Sequence, residues 1–369
     1  MSWKRFWRIS GEVLFWCLVV AFFVWVGFLR TENEDARGVR EVRVVVVDQQ
    51  ERNFVNSEIV LGLIEEDMGD LVGRSIEGLN MWEINWAVES YNFVSHSRAY
   101  VDYDNVVTIE VHQRRPVVRV LCSDGNDYYL SEDMHILPIH SSAHINLPII
   151  TGALPLPVEK GFVGDLAEPL ADLEEEIAML EGEDRARIEQ RRVEQQKMRE
   201  ERQKKYKRES KGLSDEEKQK LRNKNREILR QEAENNRIED AQYRIPIDQK
   251  ILAKKKYEEN YNFLLKLINF VELTEHTPQW QGEFVQFVAL ESKQRVESHI
   301  FREPHFELIP RRGEYTIEFG TLADAERKLQ KLSTFLSAGV VDTRGGRVSV
   351  EFDGQVVWKA PKSDKKSNK

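Results

Sequence analysis

Residues 41–47 read EVRVVVV. Four successive valines after an alternating start make a β-strand, because branched side chains fit a pleated surface and crowd a helix. Outward from that strand the period changes. Asn56 is placed to cap a helix in which Ile59, Val60, Leu63 and Ile64 follow at helical spacing. Gly69 and Gly73 punctuate, and a second helix follows Asn80 with Ile84, Ala87, Val88 and Tyr91 on one stripe. Trp82 and Trp86 stand four apart on that helix, and core packing is expected for at least one. Strands are expected at about 98–102 and 107–113, joined by the turn residues Tyr103, Asp104 and Asn105. Residues 38–115 therefore form a β-α-α-β-β unit, helices on a small sheet, of the α+β class.

The next part, 116–160, is strand-rich. Strands are expected at 117–121, 128–130, 136–139 and 147–151, with a turn at Asp124-Gly125-Asn126. From 161 to 244 the composition changes: residues 171–240 hold 20 Asp/Glu and 19 Lys/Arg. Apolar residues there are too sparse for a sustained coiled-coil seam. Gly182 and Gly212 are expected to interrupt the segment, and Ser214 with Glu217 forms a capping-box signature opening a helix to about 238. The segment reads as a charged surface insertion, helical in pieces; the sharper alternative is a coiled-coil arm that recruits a partner. Residues 245–360 resume the strand-rich pattern. A helix at 257–271 leads into strands at 284–290, 295–301, 306–309 and 315–319. A helix at 322–336 and strands at 347–352 and 355–358 follow. Residues 361–369 are a Lys-rich tail, expected to be disordered.

At the other end, Val13 to Leu29 reads VLFWCLVVAFFVWVGFL, without a charge. Seventeen helical residues span about 26 Å, close to a bilayer's hydrocarbon thickness. Lys4, Arg5 and Arg8 precede it, and Glu32, Glu34 and Asp35 follow Arg30. The positive-inside rule then expects residues 1–11 in the cytoplasm, a transmembrane helix at 12–30 and the bulk outside, in a periplasm. A cleaved signal peptide is the rival, but the exit FVWVGFLR lacks small residues for cleavage.

The chain has 369 residues, a net charge of -9 and two cysteines. Two cysteines exclude a disulfide scaffold and a Cys-based zinc ribbon, and the acidic balance argues against nucleic acid as the main partner. Cys17 lies in the apolar stretch and Cys122 reads as a small buried hydrophobe. No phosphate loop, nucleophile elbow or dinucleotide fingerprint occurs. Ser363 to Lys366 matches S-x-x-K by chance in a polar tail, and His135, His140 and His144 read as surface or turn histidines rather than a metal set. No catalytic residue, cofactor or metal is expected, which weighs toward a binding or assembly protein.

The order of parts resembles the bacterial division protein family FtsQ/DivIB. Gln113-Arg114-Arg115-Pro116-Val117 sits where that family joins its POTRA domain to its β domain. Tyr128-Tyr129-Leu130-Ser131-Glu132-Asp133 resembles the family's Y-hydrophobic-D-x-x-G turn, with Met134 where Gly is common. Leu147-Pro148-Ile149-Ile150-Thr151-Gly152 is similar to its L-P-x-hydrophobic-x-G stretch. Phe319-Gly320 with Lys328-Leu329 resembles its strand-and-helix motif, and Asp342-x-Arg344 its D-hydrophobic-R segment. The wording is most similar to Bacteroidetes-type members, and the charged insertion is not part of the common pattern.

The resemblance implies a non-enzymatic divisome scaffold at the septum, with a POTRA domain at 38–115 and a β domain split by the insertion. It implies binding of FtsB/DivIC-like and FtsL-like bitopic proteins, and control of the FtsW/FtsI septal synthase indirectly. It places partner strand addition at the C-terminal edge, here Phe352, Gly354, Gln355, Val356, Val357 and Trp358. Phe352 and Trp358 are then aromatic anchors, against the alternative that Trp358 only packs the sheet end. The strand edge near Arg43 to Val47 and the helix surface around Trp82 offer a contact for an upstream division protein. Two other classes are weaker. A POTRA-bearing assembly or translocation factor of the outer-membrane type carries long runs of barrel strands, and a wall-cleaving enzyme needs a nucleophile or metal set.

Overall fold

A computed structural model describes residues 16–26, 38–47, 53–123, 125–139, 145–291, 301–339 and 345–360. Helix α1 covers residues 16–26 and is exposed except at Val19, which is half-buried. The rest of the expected 12–30 segment lies outside the described residues, as do the expected tail and most of the strand expected at 295–301. Among the described residues, no helix is long and apolar enough to cross a membrane. The chain is of mixed α+β class. Its compact units divide between Arg115 and Pro116.

The first unit has the expected order: β1 (Glu41–Val46), α2 (Ser57–Met68), α3 (Met81–Glu89), β2 (Val94–Val101) and β3 (Val106–Gln113). The sheet order is β1-β3-β2, with β1 parallel and β2 antiparallel to the central strand. Asn56 accepts from the Ile59 N–H and Asn80 from the Trp82 N–H, so both helices start where their caps predict. Asn105 makes the β2–β3 turn in the left-handed region at φ 59°, a conformation asparagine tolerates. Gln113 closes the unit: its buried Oε1 accepts from the Phe54 and Val55 N–H groups at 3.0 Å each. That pairing gives Gln113 a structural reason.

The tryptophans of α3 correct the sequence reading. Ile84, Ala87 and Val88 fill the buried stripe, whereas Trp82 and Trp86 are 67% and 60% exposed. Each lies two residues from Ile84, about 200° around the helix, which is the solvent side.

The second unit is a sheet in the order β13-β12-β11-β10-β9-β7-β4-β5-β6-β8. Strands β4 (Pro116–Leu121), β5 (Tyr128–Ser131), β6 (His135–Pro138), β7 (Ile149–Gly152) and β8 (Gly164–Asp165) precede the insertion. Strands β9 (Phe284–Leu290), β10 (His305–Pro310), β11 (Thr316–Gly320), β12 (Arg347–Ser349) and β13 (Val357–Lys359) follow it. The halves join where β7 runs parallel to β9, Ile149 opposite Gln286 and Gly152 opposite Ala289. Gly152 has φ 98°, and a Cβ there would lie 2.1 Å from the Ala289 carbonyl oxygen, so no other residue fits the join. Met134 occupies the left-handed region at φ 61° where glycine is common, yet its side chain is only 2% exposed and belongs to the core.

Between the halves stand α4 (Glu168–Glu209) and α5 (Asp215–His276). They correct the expectation of a piecewise helical insertion. Gly182 does not interrupt α4, because one mid-helix glycine costs only about 1 kcal/mol. Helix α5 opens with the full Ser214/Glu217 capping box but passes 238 and the boundary set at 244/245, ending at His276. Its Pro246 forfeits one backbone bond without ending it. Ion pairs run antiparallel along the two helices: Glu174–Lys254 at 2.8 Å, Glu176–Lys250 at 2.7 Å, Arg187–Asp240 at 2.9 Å and Arg202–Glu232 near the tip. From Ile247 onward α5 is a core helix, with Phe263, Leu264, Leu267, Ile268, Phe270 and Val271 buried in the cluster beneath the sheet. Each such side chain contributes about 1.5–3 kcal/mol.

Candidate functional site

The last strand, β13, ends the sheet. It pairs antiparallel with β12, Val348 opposite Trp358 and Ser349 opposite Val357, and no described strand lies on its other side. An edge strand leaves backbone N–H and C=O groups unpaired along that side.

Helix α6 (Ala325–Ser337) holds the turn that leads into β13. Lys331 Nζ donates to the Phe352 carbonyl at 2.8 Å and the Val350 carbonyl at 3.3 Å. Arg327 pairs with Asp353 at 3.1 Å. Beneath the strands, Glu318 on β11 lies 3.3 Å from Arg347 and 3.5 Å from Lys359. Sequence reasoning missed these clamps; the signal was the basic row Arg327, Lys328 and Lys331 at helical spacing. Lys328 has a different task. It is buried, donates to the Thr321 carbonyl at 2.6 Å and lies 5.1 Å from the Phe319 ring centroid. Desolvation by burial pulls its pKa below the ordinary lysine value, opposed by Glu303 and Glu351. The Phe319…Lys328 motif is thus a packing device between β11 and α6.

The six predicted edge residues divide by environment. Phe352, Gly354 and Gln355 are exposed on the turn, Phe352 at 50%. Val357 is half-buried in β13. Val356 and Trp358 pack against the core cluster. The Trp358 ring also seats on Gly346, where a Cβ would come within 2.6 Å of it. Trp358 therefore holds the sheet end, and Phe352 is the exposed aromatic of the set.

Among the described residues, no group of three or more His, Cys, Asp or Glu is placed to hold a metal. His135 is buried, while His140 and His144 lie outside the described residues, as does the Asp342-x-Arg344 segment. Cys122 is half-buried against the core.

The comparisons with known proteins fall on these two units. A family model described as a POTRA-like domain matches residues 38–112. A model described as FtsQ/DivIB, C-terminal related, matches residues 237–358, the stretch running from the middle of α5 through the β13 edge. Together the two matches support an FtsQ/DivIB-family protein. A POTRA-like domain followed by an FtsQ/DivIB C-terminal related domain points to a division protein. No curated protein matches the chain. The FtsQ/DivIB C-terminal match takes in Gly320, Lys328 and all six edge residues, and leaves α4 and the tip of the insertion outside.

Proposed function

We propose that the chain is a non-enzymatic division scaffold whose β13 edge takes up a strand from a bitopic division protein. The observation that carries the reading is the position of β13 at the end of the sheet, with the turn that leads into it clamped to α6 by Lys331 and Arg327 and Phe352 exposed on that turn. An added strand satisfies the edge's backbone groups, and an exposed aromatic supplies the anchor. The partners proposed are FtsB/DivIC-like and FtsL-like proteins, with the FtsW/FtsI synthase affected through them. The location proposed is the inner membrane at the division septum, anchored by residues 12–30, with the bulk in the periplasm. The exposed Trp82 and Trp86 favour a second docking face on α3, for an upstream division protein.

The test is co-purification of the full-length chain with its FtsB/DivIC-like partner. Phe352→Ala is expected to weaken capture at least about tenfold, as loss of an aromatic anchor does, with unchanged thermal unfolding. Trp358→Ala is expected to lower both capture and stability, since its ring supports β12 and β13. Capture undiminished in both variants would overturn the β13 assignment.

A further inference from the structure

The charge of the α4–α5 hairpin is nearly balanced as a whole but is sorted along its length. The first fourteen residues of α4, 168–181, carry six acids and no Lys or Arg. The tip, 197–226, carries 13 Lys/Arg against 6 Asp/Glu, a net +7 in a chain of net -9. At 1.5 Å per residue the turn at Ser214 lies about 50 Å along α5 from Ile247, its first buried residue. A concentrated positive end on a long rod, attached to an otherwise acidic protein, attracts polyanions over distances set by the ionic strength.

We infer that this tip docks on an anionic phospholipid surface. The distribution of the charges selects that class. Lys204, Lys207 and Lys211 follow at helical spacing from α4 into the turn, Lys220 and Lys224 stand four apart on α5, and all five are exposed. The apolar side chains between them, Tyr206, Leu213 and Leu221, are half-buried, and Tyr206 accepts from Arg222 at 2.8 Å. A protein groove needs apolar anchors turned outward, and single-stranded nucleic acid needs aromatic stacking platforms. A plane of lipid phosphates needs only accumulated Lys and Arg near its surface. The hairpin is then a second membrane attachment, in addition to the proposed anchor. The choice of a bilayer rests on the proposed membrane anchor; the basic tip itself does not.

The experiment uses the full-length chain in phosphatidylcholine nanodiscs on a sensor surface. It is challenged with vesicles of phosphatidylcholine alone or of phosphatidylcholine with phosphatidylglycerol. Capture of the phosphatidylglycerol vesicles alone is expected, weakening as salt is raised. Replacing the five lysines by glutamine should lower that capture at least about tenfold, while their replacement by arginine keeps it. Far-UV circular dichroism verifies that the hairpin remains helical. Equal capture of both vesicle types, unchanged capture by the glutamine variant, or loss of capture in the arginine variant would overturn the inference. So would capture of duplex DNA or polyglutamate with none of either vesicle. Partner capture through Phe352 is read separately, so failure of the tip leaves the β13 assignment standing, and the reverse.

Discussion

The two halves of α5 are one continuous helix held by different forces. Its last thirty residues lie under the sheet, where Phe263, Phe270 and Leu267 are buried. Before Ile247 it has no buried residue, and ion pairs run from it across to α4. Near the body the α4 seam is apolar, with Leu173, Ile177 and Leu180 half-buried. Farther out the same seam positions hold Asp184, Arg187, Arg191, Gln195 and Arg202. The Arg187 guanidinium covers the Tyr243 ring at 4.0 Å while pairing with Asp184 and Asp240. Burial stabilises the inner half; helix propensity and solvated ion pairs maintain the outer half. The match to the C-terminal related model takes in the whole inner half but begins at residue 237, ten residues before the first buried position.

The comparison is broken most severely from the buried side. Phe263 is 2% exposed and packs against Phe301 and Phe306. Phe263→Ala is expected to cost about 3–5 kcal/mol, read by denaturant unfolding followed through the tryptophans of the second unit. A loss below about 1 kcal/mol would mean that the α5–sheet contact is not the unit's core.

Met134 sharpens the comparison at intermediate size, because there burial and backbone strain oppose each other at one residue. The left-handed conformation of a non-glycine residue costs roughly 1–2 kcal/mol. Its buried side chain contributes more, since large-to-small core changes cost about 2–5 kcal/mol. Met134→Gly is therefore expected to destabilise by about 1–3 kcal/mol net of the relieved strain. A stabilised variant would show that strain dominates, and that the family's common glycine is preferred here on energetic grounds.

Most of the fold was legible in sequence because it is written in short-range signals. The caps Asn56, Asn80 and Ser214 start helices where expected, and Asn105 and Gly125 sit at turns. Legibility failed where a signal had two meanings. Gly182 and the Arg244-Ile245-Pro246 stretch look like helix breaks, yet a long helix stabilised elsewhere absorbs one of each. Core packing was expected for at least one of Trp82 and Trp86, although their angle from Ile84 already placed both outside. At the candidate edge, the order of the last strands was readable. The clamp of Lys331 and Arg327 on the turn was not, because those contacts span about twenty residues and depend on how α6 lies on the sheet. The sorting of charge along the insertion was present in the composition but hidden by the near-zero sum over 171–240.

The smallest expected effect probes the solvated side. Arg191 bridges two acids across the outer seam, Asp240 at 2.5 Å and Glu239 at 3.0 Å, with its own side chain 16% exposed. Both acids are about half exposed, so water competes for each bond and each pair is worth about 0–1 kcal/mol. Removing Arg191 also leaves Asp240 with Arg187, so no buried charge is orphaned. Arg191→Ala should therefore leave global unfolding unchanged to within about 1 kcal/mol. Its effect should be confined to faster amide hydrogen exchange in the outer parts of α4 and α5. Added salt should reproduce that local loosening in the unaltered chain, because it screens the same pairs. If Arg191→Ala instead lowered the stability of the sheet, the two halves of α5 would unfold as one cooperative unit. The ion-paired seam would then be transmitting stability into the core instead of resting on it.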